Sequence, residues 1–176
     1  MRKLDLSVCI LMIFCNSLNA QSFLTPDDYL INGYSKKISG LDYDYQSCIP
    51  GLRESMLLRA TSGKDYIEWE TDAVPSPAGK KYAAFIWVAA LGSSPGRAQM
   101  DLAVNGVQNY TFYTDGVRAW EVKNADGSSL SFNSIMVDQN GDNHGYMILR
   151  IPKEKVIPGK SMRIRITGSK ANLTSW

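Results

Sequence analysis

Between Tyr113 and Trp120 the chain gathers two aromatic rings, an acid and a guanidinium: Tyr113, Asp115, Arg118 and Trp120. Those residue types suit sugar recognition. A flat aromatic face stacks on the CH side of a pyranose, and Asp or Arg beside it hydrogen-bonds the hydroxyls. Tyr43 and Tyr45 offer further rings in the alternating run Leu41-Asp42-Tyr43-Asp44-Tyr45. Any one such ring more often belongs to a core than to a sugar site, and Trp69 and Trp87 are assigned to the core outright.

Other constellations are weaker. Asp138-x-Asn140-x-Asp142 places oxygen donors at alternate positions, as a loop around a hard cation such as calcium does. The spacing then departs from the EF-hand pattern, with Asn143 at the required glycine and Leu149 at the bidentate glutamate. It reads as a polar hairpin turn, with a structural calcium site of another type as the alternative. Glu68 and Glu70 stand two apart on one strand, about 7 Å between Cα atoms. Glycoside hydrolysis needs two carboxylates facing each other across a cleft. Neighbours on one strand project side by side, so the pair is expected on a solvated face.

Nucleophilic catalysis lacks its parts. His144 is the one histidine, it lies in an Asn/Asp/Gly-rich stretch that reads as a solvated loop, and no Gly-x-Ser-x-Gly elbow accompanies it. One histidine and few cysteines make the usual zinc sites improbable. No catalytic residue and no cofactor is assigned. Asn109-Tyr110-Thr111 and Asn172-Leu173-Thr174 match the glycosylation acceptor pattern, which matters only in a host that glycosylates.

The elements that must position these groups are strands. From Met56 to Thr167 short runs of alternating polarity recur, separated by Pro75-Ser76-Pro77, Asn105-Gly106, Asp126-Gly127, Asn140-Gly141-Asp142 and Pro158-Gly159. That cadence specifies an all-β chain folded as an antiparallel β-sandwich. Met56, Leu58 and Ala60 share one face of the first run. Ile67 and Trp69 oppose Tyr66, Glu68 and Glu70 in the next. Ala98, Met100, Leu102 and Val104 alternate with Gln99, Asp101 and Ala103, and Asn105-Gly106 then demands positive φ at two successive residues, a type I′ hairpin. The run Tyr82–Leu91 (YAAFIWVAAL) has no charge and no alternation, which predicts a central strand covered on both faces. Its cover is expected from the turn-rich, tyrosine-bearing segment 21–53, with residues 54–176 forming the sandwich.

Residues 1–20 read as a secretory signal peptide. Arg2 and Lys3 precede the apolar run Leu6–Phe14, and Leu18-Asn19-Ala20 supplies a small residue at the cleavage point. The run is too short to span a bilayer, which takes about 20 residues. Removal leaves 156 of 176 residues, enough for one domain with one core. It also takes the formal charge from +2 to +1, because Arg2, Lys3 and Asp5 leave. A near-neutral chain without a Lys/Arg block argues against nucleic acid or an anionic membrane as partner. Cys9 and Cys15 leave with the signal, so Cys48 has no internal disulfide partner and reads as a small buried hydrophobe. The expected location is periplasmic or secreted.

Several stretches resemble the N-terminal β-sandwich module of secreted bacterial proteins of the α-mannosidase type, glycoside hydrolase family 38. They are Leu57-Leu58-Arg59-Ala60, Ile67-Glu68-Trp69-Glu70-Thr71, Phe85-Ile86-Trp87-Val88-Ala89 and Val104-Asn105-Gly106, followed by Met136-Val137-Asp138 through Gly141-Asp142 to Gly145-Tyr146-Met147. Leu149-Arg150-Ile151-Pro152, Pro158-Gly159 and Ser175-Trp176 complete the match, over about residues 45–176. The resemblance implies a jelly-roll, galactose-binding-like accessory module preceding a catalytic region. In that family the zinc-dependent machinery lies in a later domain, and none of it maps onto these residues. The expected role is therefore a non-catalytic accessory or carbohydrate-binding module without its enzyme, whose partner is a glycan or a hydrolase catalytic domain; the alternatives are a purely structural domain that packs against such a catalytic domain and a small glycan-active enzyme.

Overall fold

The computed structural model describes residues 23–39, 44–45, 55–56, 66–91, 98–114, 118–137, 141 and 143–171. The signal-like segment and Cys48 lie outside the described residues. Within them the chain is almost wholly strand: β1 (Asp28–Leu30), β2 (Tyr34–Ser39), β3 (Asp44–Tyr45), β4 (Ser55–Met56), β5 (Tyr66–Thr71) and β6 (Tyr82–Leu91). There follow β7 (Ala98–Val104), β8 (Val107–Tyr113), β9 (Ala119–Lys123), β10 (Ser129–Val137), β11 (Asn143–Pro152) and β12 (Arg163–Ala171). A single 3-10 turn, Lys153–Lys155, separates the last two.

Two five-stranded sheets face each other, in the orders β1-β6-β11-β10-β9 and β2-β5-β12-β7-β8. β3 and β4 form a separate two-stranded ladder. All pairings are antiparallel except that of β1 with β6. β5 with β12 and β6 with β11 are nested pairs, the wrap of a jelly roll. The inner strands instead close locally, β7 on β8 and β9 on β10.

Alternation puts Phe85, Leu130, Phe132, Met147 and Leu149 of the first sheet against Trp69, Leu102, Phe112 and Ile164 of the second. Each such side chain, fully buried, contributes about 1.5–3 kcal/mol through apolar transfer. An aromatic seam runs through this core and out to Tyr34: Tyr34 meets Phe85 edge-on at 5.5 Å, and Trp69 and Trp87 lie 5.3 Å apart. Trp69 and Trp87 thus take the core places expected of them.

The turns follow their residues. Asn105 (φ 52°) and Gly106 (φ 83°) make the expected tight hairpin. Asn105 is tied to β12 on both sides: its N–H donates to the Arg163 carbonyl (2.7 Å), and its Oδ1 accepts from the Arg163 N–H (2.9 Å). At the β9–β10 turn the Ser128 hydroxyl and N–H both donate to Asp126 Oδ1, at 2.6 and 2.9 Å, holding that carboxyl below its usual pKa.

The outer face of the first sheet is part covered and part open. Residues 23–27 cross one end of it as a strap that leads into the edge strand β1. The Phe23 ring packs on Tyr146 at 5.8 Å, Ile31 N–H donates to the Ala84 carbonyl, and Ala84 and Ile148 are buried. The strap is anchored by Asp28, whose carboxylate takes both the Nε and an Nη of Arg150 and also the Thr25 N–H. At the other end Val88 is 64% exposed, with Met136 at 54%. The expectation that Tyr82–Leu91 would be covered on both faces is therefore corrected for its second half, where the strap does not reach.

Two phenols report on this packing. Burial pushes both Tyr110 and Tyr146 above the ordinary tyrosine pKa, the Ser128 hydroxyl partly offsetting this for Tyr110. A raised folded-state pKa means the folded state holds its proton more tightly than the unfolded chain. The associated stability is whole below about pH 10, the unfolded value, and is lost as pH rises through the folded value. Urea midpoints are expected to stay level up to about pH 10 and fall above it. Tyr110→Phe with Tyr146→Phe should flatten that fall. An unchanged alkaline slope in the double variant would remove these phenols as its cause.

Candidate functional site

The aromatic stretch chosen from sequence does not assemble on one surface. Tyr113 closes β8 and lies on the outer face of the second sheet, 37% exposed. Arg118 is exposed at the entry to β9, an edge of the first sheet, and its carbonyl accepts from the Ser134 N–H at 2.7 Å. Trp120, on β9, turns inward. Its ring stacks on Phe112 at 5.5 Å and 24° and reaches Phe132 at 6.2 Å. That packing sets the partly buried Trp120 against the core, on a different surface from Tyr113. The signal was available: in Ala119-Trp120-Glu121-Val122-Lys123 a period of two puts Trp120 with Val122, opposite the charges. Asp115 lies outside the described residues, as do Asp138, Asn140 and Asp142. Gly141 between the latter two has φ 87°.

The outer face of the second sheet brings together polar residues that sequence spacing alone could not pair. Register sets Tyr66, Thr167, Asp101 and Thr111 side by side across β5, β12, β7 and β8. The Thr111 hydroxyl donates to Asp101 Oδ1 at 2.7 Å. One step to one side of this row Glu68 faces Arg165, and one step to the other side Gln99 faces Tyr113. Arg165 Nε donates to Glu68 Oε2 at 2.6 Å, and Arg163 Nε lies 3.7 Å from Oε1. The Arg165 guanidinium also rests over the Tyr66 ring, 4.0 Å from its centroid.

Glu68 is consequently buried on a face that points away from the core, its side chain only 5% exposed. The expectation of a solvated carboxylate fails because two arginines on the neighbouring strand close over it. A carboxylate held this way is a fixed acceptor for guanidinium hydrogen bonds. Glu70 is set apart from it chemically, accepting from the Ser161 hydroxyl at 3.3 Å. The two glutamates project in parallel from β5 and do not form a pair across a cleft, as their spacing indicated.

His144 lies within β11, opposite Met136 and Ala90, part buried, and not in a solvated loop. Among the described residues no three His, Cys, Asp or Glu side chains converge to hold a metal ion. Around His144 and along the end of β10, Val88, Ile135, Met136 and Val137 are exposed apolar side chains. Comparison with protein-family models, with curated proteins and with solved structures found no match.

Proposed function

We propose that this chain is a non-catalytic, exported β-sandwich that binds glycan, an accessory module of the kind that accompanies α-mannosidase-type hydrolases. The observation that carries this reading is the outer face of the second sheet. There Asp101, Thr111, Thr167, Gln99 and two tyrosines share one surface, and side-chain bonds on that face fix Asp101 to Thr111 and Glu68 to Arg165. Such a surface suits hydroxyl recognition, because fixed donors and acceptors lose little freedom on binding. It does not suit acid–base hydrolysis: Glu68 is committed to guanidinium groups and Glu70 stands beside it, not across from it. The signal-like segment 1–20 supports an exported protein, periplasmic or secreted.

Two measurements test this together. A glycan array should show hits with the purified chain, and aryl α-mannosides with added zinc should show no turnover above a buffer blank. Turnover would overturn the non-catalytic reading, and a blank array would overturn the binding one. A second reading rests on a separate observation: the exposed Val88, Ile135, Met136 and Val137 suit a structural domain that packs this end of the first sheet against a hydrolase catalytic domain.

A further inference from the structure

We propose that Asn32, at the crossing from β1 to β2, is a site of spontaneous deamidation in the folded protein, and that the fold silences the chemically similar Asn105. The two share their local sequence pattern, Ile31-Asn32-Gly33 and Val104-Asn105-Gly106. Each asparagine follows a β-branched residue and precedes glycine, whose missing side chain leaves its backbone nitrogen open to the neighbouring carboxamide. In the reaction the glycine nitrogen gives up its proton and bonds to the asparagine Cγ. The side-chain nitrogen leaves as ammonia, and a five-membered imide closes. Water then opens either carbonyl, returning aspartate or an isoaspartate that carries one extra methylene in the main chain. No oxidant or cofactor enters. A third such pair is Asn140-Gly141, of which Asn140 lies outside the described residues.

Asn32 and Asn105 are both exposed, so access to solvent does not separate them. Their hydrogen bonds do. Asn105 Oδ1 accepts from the Arg163 N–H at 2.9 Å, and the Asn105 N–H donates to the Arg163 carbonyl at 2.7 Å. Ring closure must swing that carboxamide onto the Gly106 nitrogen, which breaks the first bond and disturbs a hairpin turn that is left-handed at both residues. Asn32 carries no such restraint. Among the described residues no hydrogen bond holds its carboxamide, it lies between strands, and neither it nor Gly33 has a positive φ.

What brackets Asn32 sets the consequence. On one side Ile31 is buried and its N–H donates to the Ala84 carbonyl at 2.9 Å. On the other the Gly33 carbonyl accepts from the Asp72 N–H at 2.9 Å, and the Asp72 carboxylate lies where a Cβ on Gly33 would stand. An added methylene must be absorbed between these two fixed points, and a new carboxylate arises near an existing one. Both effects pull at the join between the edge strand β1 and β2.

The test ages the whole chain at mildly alkaline pH, once folded and once in denaturing urea. Conversion at each asparagine is read by peptide mass spectrometry, with isoaspartate scored by enzymatic methylation. In urea the two sites are expected to convert within about threefold of each other, since local sequence alone acts there. In the folded protein Asn32 should outpace Asn105 by at least about tenfold, the factor set by the hydrogen bonding that Asn105 must first break. A folded ratio below about tenfold would overturn the inference, as would a urea ratio that already reaches it. Asn32→Gln keeps an exposed carboxamide but replaces the five-membered closure by a slower six-membered one. That variant should fold as the parent does and hold its urea midpoint on ageing while the parent's falls. Equal falls in the two would overturn the link between this site and loss of stability.

Discussion

Replacing Asp28 by alanine is expected to lower the unfolding free energy by about 3–5 kcal/mol, the cost of stranding one member of a buried ion pair. The Asp28 side chain is wholly buried and that of Arg150 is 15% exposed. Arg150 meets it through Nε at 3.0 Å to Oδ1 and through Nη2 at 3.1 Å to Oδ2. The same Nη2 donates to the Phe23 carbonyl at 2.7 Å, so one guanidinium holds the strap at two points. Without the carboxylate the guanidinium is left desolvated and the Thr25 N–H loses its acceptor. The strap should then lift, uncovering Tyr146 and Ile148. Urea denaturation measures the loss directly. The decisive comparison is the double variant Asp28→Ala with Arg150→Met, which removes the stranded charge and should be more stable than Asp28→Ala alone. A single-variant loss below about 1 kcal/mol would place the pair among ordinary surface bridges.

Gly145→Ala is expected to cost at least about 4 kcal/mol, or to abolish soluble protein, because the added carbon has nowhere to go. Gly145 sits on β11 where β10 bulges between Ser134 and Met136. A Cβ there would stand 2.0 Å from the Asn133 carbonyl oxygen and 2.7 Å from the Ser134 Cα, both backbone atoms that cannot rotate aside. The bulge is itself pinned. The Ser134 hydroxyl donates to the Met136 carbonyl at 3.0 Å, and the Ser134 N–H to that of Arg118. Relief would require β10 to leave β11. Gly106→Ala supplies the contrast: its φ of 83° is strained for alanine, but nothing lies within 4 Å of the new carbon. That change should cost only about 1–2 kcal/mol, the strain of a left-handed residue alone. Equal losses at the two positions would show that crowding at the bulge is not what selects glycine.

What could be read from the residues was whatever repeats within one strand. Alternation located β5 and β7, and Asn105-Gly106 announced its hairpin, because a period of two and a positive φ are local demands. What depends on register was not readable. Asp28 and Arg150 are 122 residues apart, and nothing near either predicts the other. Glu68 looked solvated because its cover comes from Arg163 and Arg165 on a strand reached only through the fold. The parallel pairing of β1 with β6 escaped for the same reason. Trp120 is different: its inward direction was present in the alternation of β9, where it shares a face with Val122. Tyr113 was legible as a candidate ring, but its neighbours Gln99, Asp101 and Thr111 appear only once β7 and β8 are paired.

The strand orders also govern when this protein can fold. β11 occupies the middle of one sheet and β12 the middle of the other, yet they are the last two strands of the described chain to be synthesised. Until the ribosome has released them, β6 has no antiparallel neighbour, and β5 and β7 have nothing to join them. Assembly of the two sheets must therefore wait for β11 and β12, and until they emerge the earlier hairpins, β7 with β8 and β9 with β10, lack the central strands that join them to the rest of their sheets.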